Sequence, residues 1–154
     1  MTGRVRQATL ALVLLWAWTG VAGAAEPAAI RFERRDGVFV AFSVEIARSD
    51  AERRQGLMHR RSLSPTGGML FDFGADQDIA MWMRNTYVAL DMVFVSSDGV
   101  VVDILPDTVP LSETLLASRA PARYVVELLA GQAATRGLAA GDRLWLPVAL
   151  RTSP

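Results

Sequence analysis

Two carboxyl groups stand in apolar surroundings, Asp91 in LDMVFV and Glu127 in YVVELLAG. A pair of carboxyls facing one cleft is enough for general acid–base hydrolysis of the kind glycosidases carry out. Sequence spacing does not set their separation, so Glu127 has a second reading as a strand-edge acid paired with Arg123 or Arg60. Ahead of Asp91 lies MWMRNT, which carries Trp82, Arg84, Asn85 and Thr86. The last three precede an expected turn at residues 87–89, from which they can fold back and donate hydrogen bonds to Asp91. Arg60 and the backbone of the turn at Gly68 are further donors. A buried carboxylate needs such partners or stays protonated. Asp91 is therefore either a carboxylate that ties down a turn or a member of a charged cluster at the rim of a cleft. Trp82 shares a strand face with Arg84. An exposed Trp beside polar donors is a platform for stacking a sugar ring or another flat amphipathic ligand. The alternative places Trp82 in the core, where Trp145 of LWLPV is also expected.

The composition removes several chemistries. The 154-residue chain has no Cys, which excludes thiol nucleophiles, thiolate zinc sites and iron–sulfur clusters. All sixteen basic residues are Arg, so Schiff-base chemistry and a P-loop lysine are excluded. His59 is the sole histidine and rules out a multi-histidine metal site. It lies among Arg53, Arg54, Arg60 and Arg61, read as a solvated helix end, and no G-x-S-x-G elbow accompanies it. Asp72, Asp76 and Asp78 in DFGADQD do not match calcium-loop spacing and read as a turn. Sixteen acidic residues balance the basic ones, against the basic excess of a nucleic-acid binder. No metal or cofactor is expected.

These side chains must be positioned by short strands. IRFER and VFVAFSVEIA flank Asp36-Gly37, a hairpin signal. In the second run Val38, Val40, Phe42, Val44 and Ile46 share one parity, the pattern of a strand with one buried face. Ser49 followed by Glu52 is a capping box, and a helix is expected over 50–58. MLFDF, IAMWM, LDMVFVS, VVVDIL, RYVVELLA and RLWLPVAL read as further strands, with Ser96 to Gly99 as a second hairpin turn. Residues 106–121 read as a long loop crossing between sheets. GQAATRGLAAGD reads as a turn or a single helical turn. The expected fold is mainly β, a sandwich or distorted barrel of short strands with one short helix near 50–58.

The chain opens as a secretory signal peptide would. Arg4 and Arg6 form a basic segment, ATLALVLLWAWTG is apolar, and Ala22 and Ala24 give a small-x-small cleavage site. Residues 1–24 are expected to be cleaved, leaving no membrane anchor, with 25–29 as a flexible lead-in and 30–150 as a single β-rich domain.

Several separate motifs occur in order: Gly56-Leu57-Met58-x-Arg60, Gly68-Met69-Leu70-Phe71, Trp82-Met83-Arg84-Asn85-Thr86, Leu90-Asp91 with Phe94, Glu127 with Ala130-Gly131, and Gly141-Asp142. In these the chain resembles the family known as domain of unknown function 192, over about residues 44–146. The family has Lys where this chain has Arg84, Pro where it has Ala89 and an aromatic where it has His59. The resemblance implies a mainly β, sandwich-type fold and carries no reaction. The functional expectation is a small periplasmic or secreted binding or accessory module. Its polar site would gather Arg60, Trp82, Arg84, Asn85, Thr86 and Asp91 around a glycan, a peptide or a small anionic ligand. A structural interaction protein is the first alternative. A hydrolase using Asp91 and Glu127, with Arg84 as electrostatic stabiliser, is the second.

Overall fold

Alternating burial along the chain builds a sheet that curls on itself. The computed structural model describes residues 27–151, so the expected leader lies outside the described residues. Strand β1 (Ala28–Glu33) pairs antiparallel with β2 (Phe39–Ala47) across the Arg34–Gly37 turn. β1 starts two residues before the expected position, because Ala28 and Ala29 already pair with Val44 and Ser43. In β2 the residues Val40, Phe42 and Val44 are buried while Phe39, Ala41 and Ser43 face solvent.

The chain then crosses over the sheet through α1 (Asp50–Gln55) and returns as β3 (Gly67–Gln77), parallel to β2. A parallel neighbour requires such a crossover, so this connection lays α1 on one face of the sheet. The Ser49 hydroxyl accepts from the Glu52 amide, and the Glu52 carboxylate accepts from the Ser49 amide, so the capping box is present. The helix is shorter than the expected 50–58. Gly56 ends it at φ 46°, and a side chain there would press on the Phe71 ring at 3.2 Å.

Next come β4 (Ala80–Met81), β5 (Leu90–Val95), β6 (Val101–Leu105), β7 (Leu116–Ala117), β8 (Ala122–Leu129) and β9 (Arg143–Trp145). β5 and β6 form the expected hairpin about Ser96–Gly99. β4 is confined to two residues because its sole partner, β7, offers only two. The long loop therefore carries a strand of its own and makes a second, two-stranded sheet. Two further one-turn helices, α2 (Gln132–Thr135) and α3 (Val148–Arg151), join α1. α3 replaces the end of the expected final strand, since Pro147 cannot donate to a ladder. Trp145 is not core: it is exposed, and its indole N–H donates to Glu33 at 2.8 Å.

The main sheet has seven strands in the order β6-β5-β8-β3-β2-β1-β9, curled into a half-barrel. Its two edges meet at one end. The Leu144 amide donates to the Gly99 carbonyl at 2.7 Å, and the Val101 amide donates to the Asp142 carbonyl at 2.8 Å. Inside the curl lie Ile30, Phe32, Phe42, Val44, Leu70, Val93, Val126 and Leu128. On the outer face, Met69, Phe71, Met92, Phe94 and Val125 pack under Leu57, Ile79 and Met83. The central strands are thus covered on both sides, and every residue of β5 is buried. Close approach at the centre demands a glycine. A Cβ at Gly68 would stand 2.3 Å from the Glu127 carbonyl oxygen on β8. Gly68→Ala should therefore force β3 from β8 and destabilise the fold by about 2 kcal/mol or more, read as a lower urea midpoint.

Candidate functional site

Asp91 and Glu127 lie on neighbouring central strands but on opposite faces of the sheet. In the β5–β8 register Asp91 stands opposite Leu128, and Met92 opposite Glu127. Asp91 therefore shares the inner face with Leu128, and Glu127 points outward with Met92. The paired-carboxylate arrangement is not formed, because adjacent residues of a strand point to opposite sides.

Asp91 is fully buried and accepts three backbone amides: Asp107 at 3.1 Å, Gly131 at 3.1 Å and Ala133 at 2.8 Å. The last two open α2. None of the donors expected from the sequence, neither Arg60 nor the 84–86 run nor the turn at Gly68, reaches it. Asp91 is a tie between β5, the start of the 106–121 strap and α2.

The remaining expected site residues divide into two groups. Arg60 forks onto Glu45, which holds that carboxyl below its usual range, and the pair lines a depression with Ser43 and Thr66. Trp82 to Thr86 lie elsewhere. Trp82 is 42% exposed, and the Arg84 guanidinium sits over its ring at 5.6 Å while approaching Glu113 at 3.7 Å. Asn85 is a turn residue at φ 55°, whose carbonyl accepts the His59 amide at 2.8 Å. Thr86 is buried, and its hydroxyl donates to the Arg84 carbonyl at 3.3 Å.

Trp82 and Thr86 form one wall of a cleft of about 430 Å³. The opposite wall is α1 and the residues after it, with Arg53, Arg54, Leu57 and Met58. Phe71 and Phe73 of β3 and Glu127 of β8 complete the lining. The deep residues, Leu57, Phe71, Thr86 and Glu127, are buried, whereas Asp50, Arg54 and Trp82 stand exposed at the mouth. The α1 wall was not evident from the sequence, where Arg53 and Arg54 read as a solvated helix end. The signal available was Gly56-Leu57-Met58, an apolar step directly after a polar helix.

Glu127 is the unusual group in this cleft. It is 4% exposed, and in the sheet it stands between Met69 of β3 and Met92 of β5. Among the described residues no side chain or amide hydrogen-bonds to its carboxyl. Arg123, one expected partner, forks onto Asp72 at 2.9 and 3.1 Å. Arg60, the other, belongs to Glu45. The other buried acids are all satisfied: Asp72 by Arg123, Asp91 by three amides, Asp103 by the amides of Ile104 and Arg119, and Asp142 by those of Arg35 and Ala139. Burial alone pushes the Glu127 carboxyl up to about 8, so it is protonated at neutral pH. The site thus offers a neutral acid at the bottom of an apolar cleft with charged groups at its mouth.

The chain belongs to the family called domain of unknown function 192, described as an uncharacterized ACR, whose model matches residues 31–146. No curated protein matches it. Among solved structures it is similar to a protein of Sinorhizobium meliloti 1021 named for a proposed role as a transcription regulator. That protein is 42% identical with a TM-score of 0.78, over 82% of this chain and 98% of the other. It is also similar to a protein of unknown function from Novosphingobium aromaticivorans, 35% identical with a TM-score of 0.72, over 76% of this chain and 83% of the other.

Two outcomes distinguish the carboxyls. Asp91→Ala strands three amides, that of Ala133 fully buried, and should cost on the order of 3 kcal/mol in urea unfolding, with Asp91→Asn costing less because one acceptor oxygen remains. Glu127 should behave in the opposite sense. Its folded pKa of about 8 lies above the unfolded 4.5, so the native state holds a proton that the unfolded state releases between those values. Stability should therefore fall, by at most a few kcal/mol, as pH rises through that window, then level off. Glu127→Gln should flatten this dependence and be the more stable protein at the alkaline end.

Proposed function

We propose that this chain is a small exported binding module whose ligand occupies the cleft between α1 and the Trp82–Thr86 turn. The observation that carries the reading is Glu127, a buried carboxyl in a lined cleft with no hydrogen-bond partner among the described residues. A group of that kind lowers stability, and a ligand that satisfies it recovers the loss. Trp82 supplies a flat exposed face at the mouth, and Leu57, Phe71, Phe73 and Met81 supply apolar walls. This combination of apolar lining with few convergent polar groups is that of a small-molecule or peptide site. Of the residues expected to bind, Trp82 and Thr86 remain in the proposed site. Arg84 acts on it through the Trp82 ring, and Arg60, Asn85 and Asp91 serve elsewhere. Export to the periplasm or beyond is supported by the signal-peptide pattern of residues 1–24. Direct binding of nucleic acid would call for an excess of basic charge over the sixteen acidic residues, and this chain has none.

The test is a melting-temperature screen against small amphipathic compounds, repeated on Trp82→Ala. Ligands of the cleft should raise the midpoint of the wild type and lose about tenfold or more in affinity on Trp82→Ala, the usual consequence of removing an aromatic anchor. Hits that bind the variant as well as the wild type would place the ligand elsewhere and sink the reading.

A further inference from the structure

The group that meets Glu127 follows from what surrounds it, if the cleft is a ligand site as proposed above. Among the described residues, the titratable side chains that line the cleft beside Glu127 all come from α1: Asp50, Arg53 and Arg54. β3 contributes Phe71 and Phe73, and the 80–86 segment contributes Ala80, Met81, Trp82 and Thr86, none of which titrates near neutral pH. Within the sheet, Met69 and Met92 flank Glu127. Asp50 pairs with Arg53, whose guanidinium also donates to the Asp72 carbonyl at 2.8 Å, so these two charges largely cancel. Arg54 is exposed, where solvent screens it.

An anion drawn in by Arg54 would find its counter-charge at the wet mouth and none at the bottom. A neutral acceptor would gain a single hydrogen bond from the protonated acid. A cation gains more, because a charge-assisted hydrogen bond in an apolar site is about twice as strong as a neutral one. The lining also suits a cation. Arg53 already lies over the Phe73 ring at 5.2 Å and Arg84 over Trp82 at 5.6 Å, and Met58 and Met81 add polarisable sulfur.

We infer that the cleft accepts an alkylammonium group, its aliphatic stem along Leu57, Phe71 and Met81 and its head against Glu127. The source is a free amine or the side chain of a lysine in a peptide. On binding, the O–H bond of the Glu127 acid breaks, the proton leaves to solvent, and a carboxylate–ammonium pair remains. Binding therefore releases a proton near neutral pH, and affinity rises with pH until Glu127 is ionised in the free protein.

The experiment is calorimetric titration of the purified protein near neutral pH, in two buffers of different ionisation enthalpy. The probes are n-pentylamine and Nα-acetyl-lysine methylamide, with n-pentanol and Nα-acetyl-norleucine methylamide as uncharged counterparts. The amines should bind with proton release and exceed their counterparts by roughly tenfold or more. Glu127→Gln should remove that advantage. A tighter fit of the lysine derivative than of pentylamine identifies a peptide as the source, and the reverse identifies a free amine. Equal binding of amine and alcohol to the wild type overturns the inference, a comparison that does not depend on how the variant folds. Proton-free amine binding, or full amine affinity in Glu127→Gln, overturns it as well. Binding of the uncharged probes alone leaves the cleft as a site and removes the amine. Silence from all four probes, together with an empty melting-temperature screen, removes both.

Discussion

The placement of the strap after β6 and of α2 depends on Asp91. Its carboxylate gathers the amides of Asp107, Gly131 and Ala133, and so fixes where the strap after β6 and the helix after β8 depart from the sheet. Thr108, next to Asp107, then locks onto Leu90: its hydroxyl donates to the Leu90 carbonyl at 2.9 Å, and the Leu90 amide donates back to that hydroxyl at 3.2 Å. From there the strap runs beside residues 82–86. The Leu111 amide donates to the Thr86 carbonyl at 3.1 Å, and the Met83 amide donates to the Ser112 carbonyl at 2.9 Å. Trp82 and Thr86, one wall of the cleft, thus stand where they do through bonds that begin at a carboxylate on the other face of the sheet.

The opposite wall is placed by topology. A parallel β2–β3 pair cannot be joined by a tight turn, so the connection must cross a face and carry α1 with it. Gly56 stops the helix against Phe71 and turns Leu57 into the outer core. Gly68 lets β3 approach β8 closely at Glu127 itself. The cleft is the space left where two independently fixed walls stop short of each other over β8.

What could be read in the sequence was local. The Asp36-Gly37 and Ser96–Gly99 turns, the alternation of Val40, Phe42 and Val44, and the capping box of Ser49 and Glu52 each depend on residues a few positions apart, and each has its counterpart in the fold. The need of Asp91 for partners was also legible. Their identity was not, because the amides of Asp107, Gly131 and Ala133 come from segments brought together only by long-range pairing. The same reason hid the fate of Glu127. Reading it as a strand-edge acid assumed an edge, whereas the strand order places β8 between β5 and β3. Trp145 misled in the opposite direction. β9 is an edge strand, so one side of its apolar pattern faces water.

A sheet buried on both faces treats an acid in one of two ways. It can supply donors, as it does for Asp72, Asp91, Asp103 and Asp142, and each of these then joins segments that apolar packing alone would not hold in register. It can otherwise force the acid to keep its proton, as it does for Glu127. The first arrangement stabilises the fold. The second does not, because a Leu or Met in the same place would pack against Met69 and Met92 without a desolvated polar group. Structure alone therefore gives no reason to keep a carboxyl at position 127. A reason appears only when something outside the chain meets it, and the cleft that Glu127 lines is open to solvent.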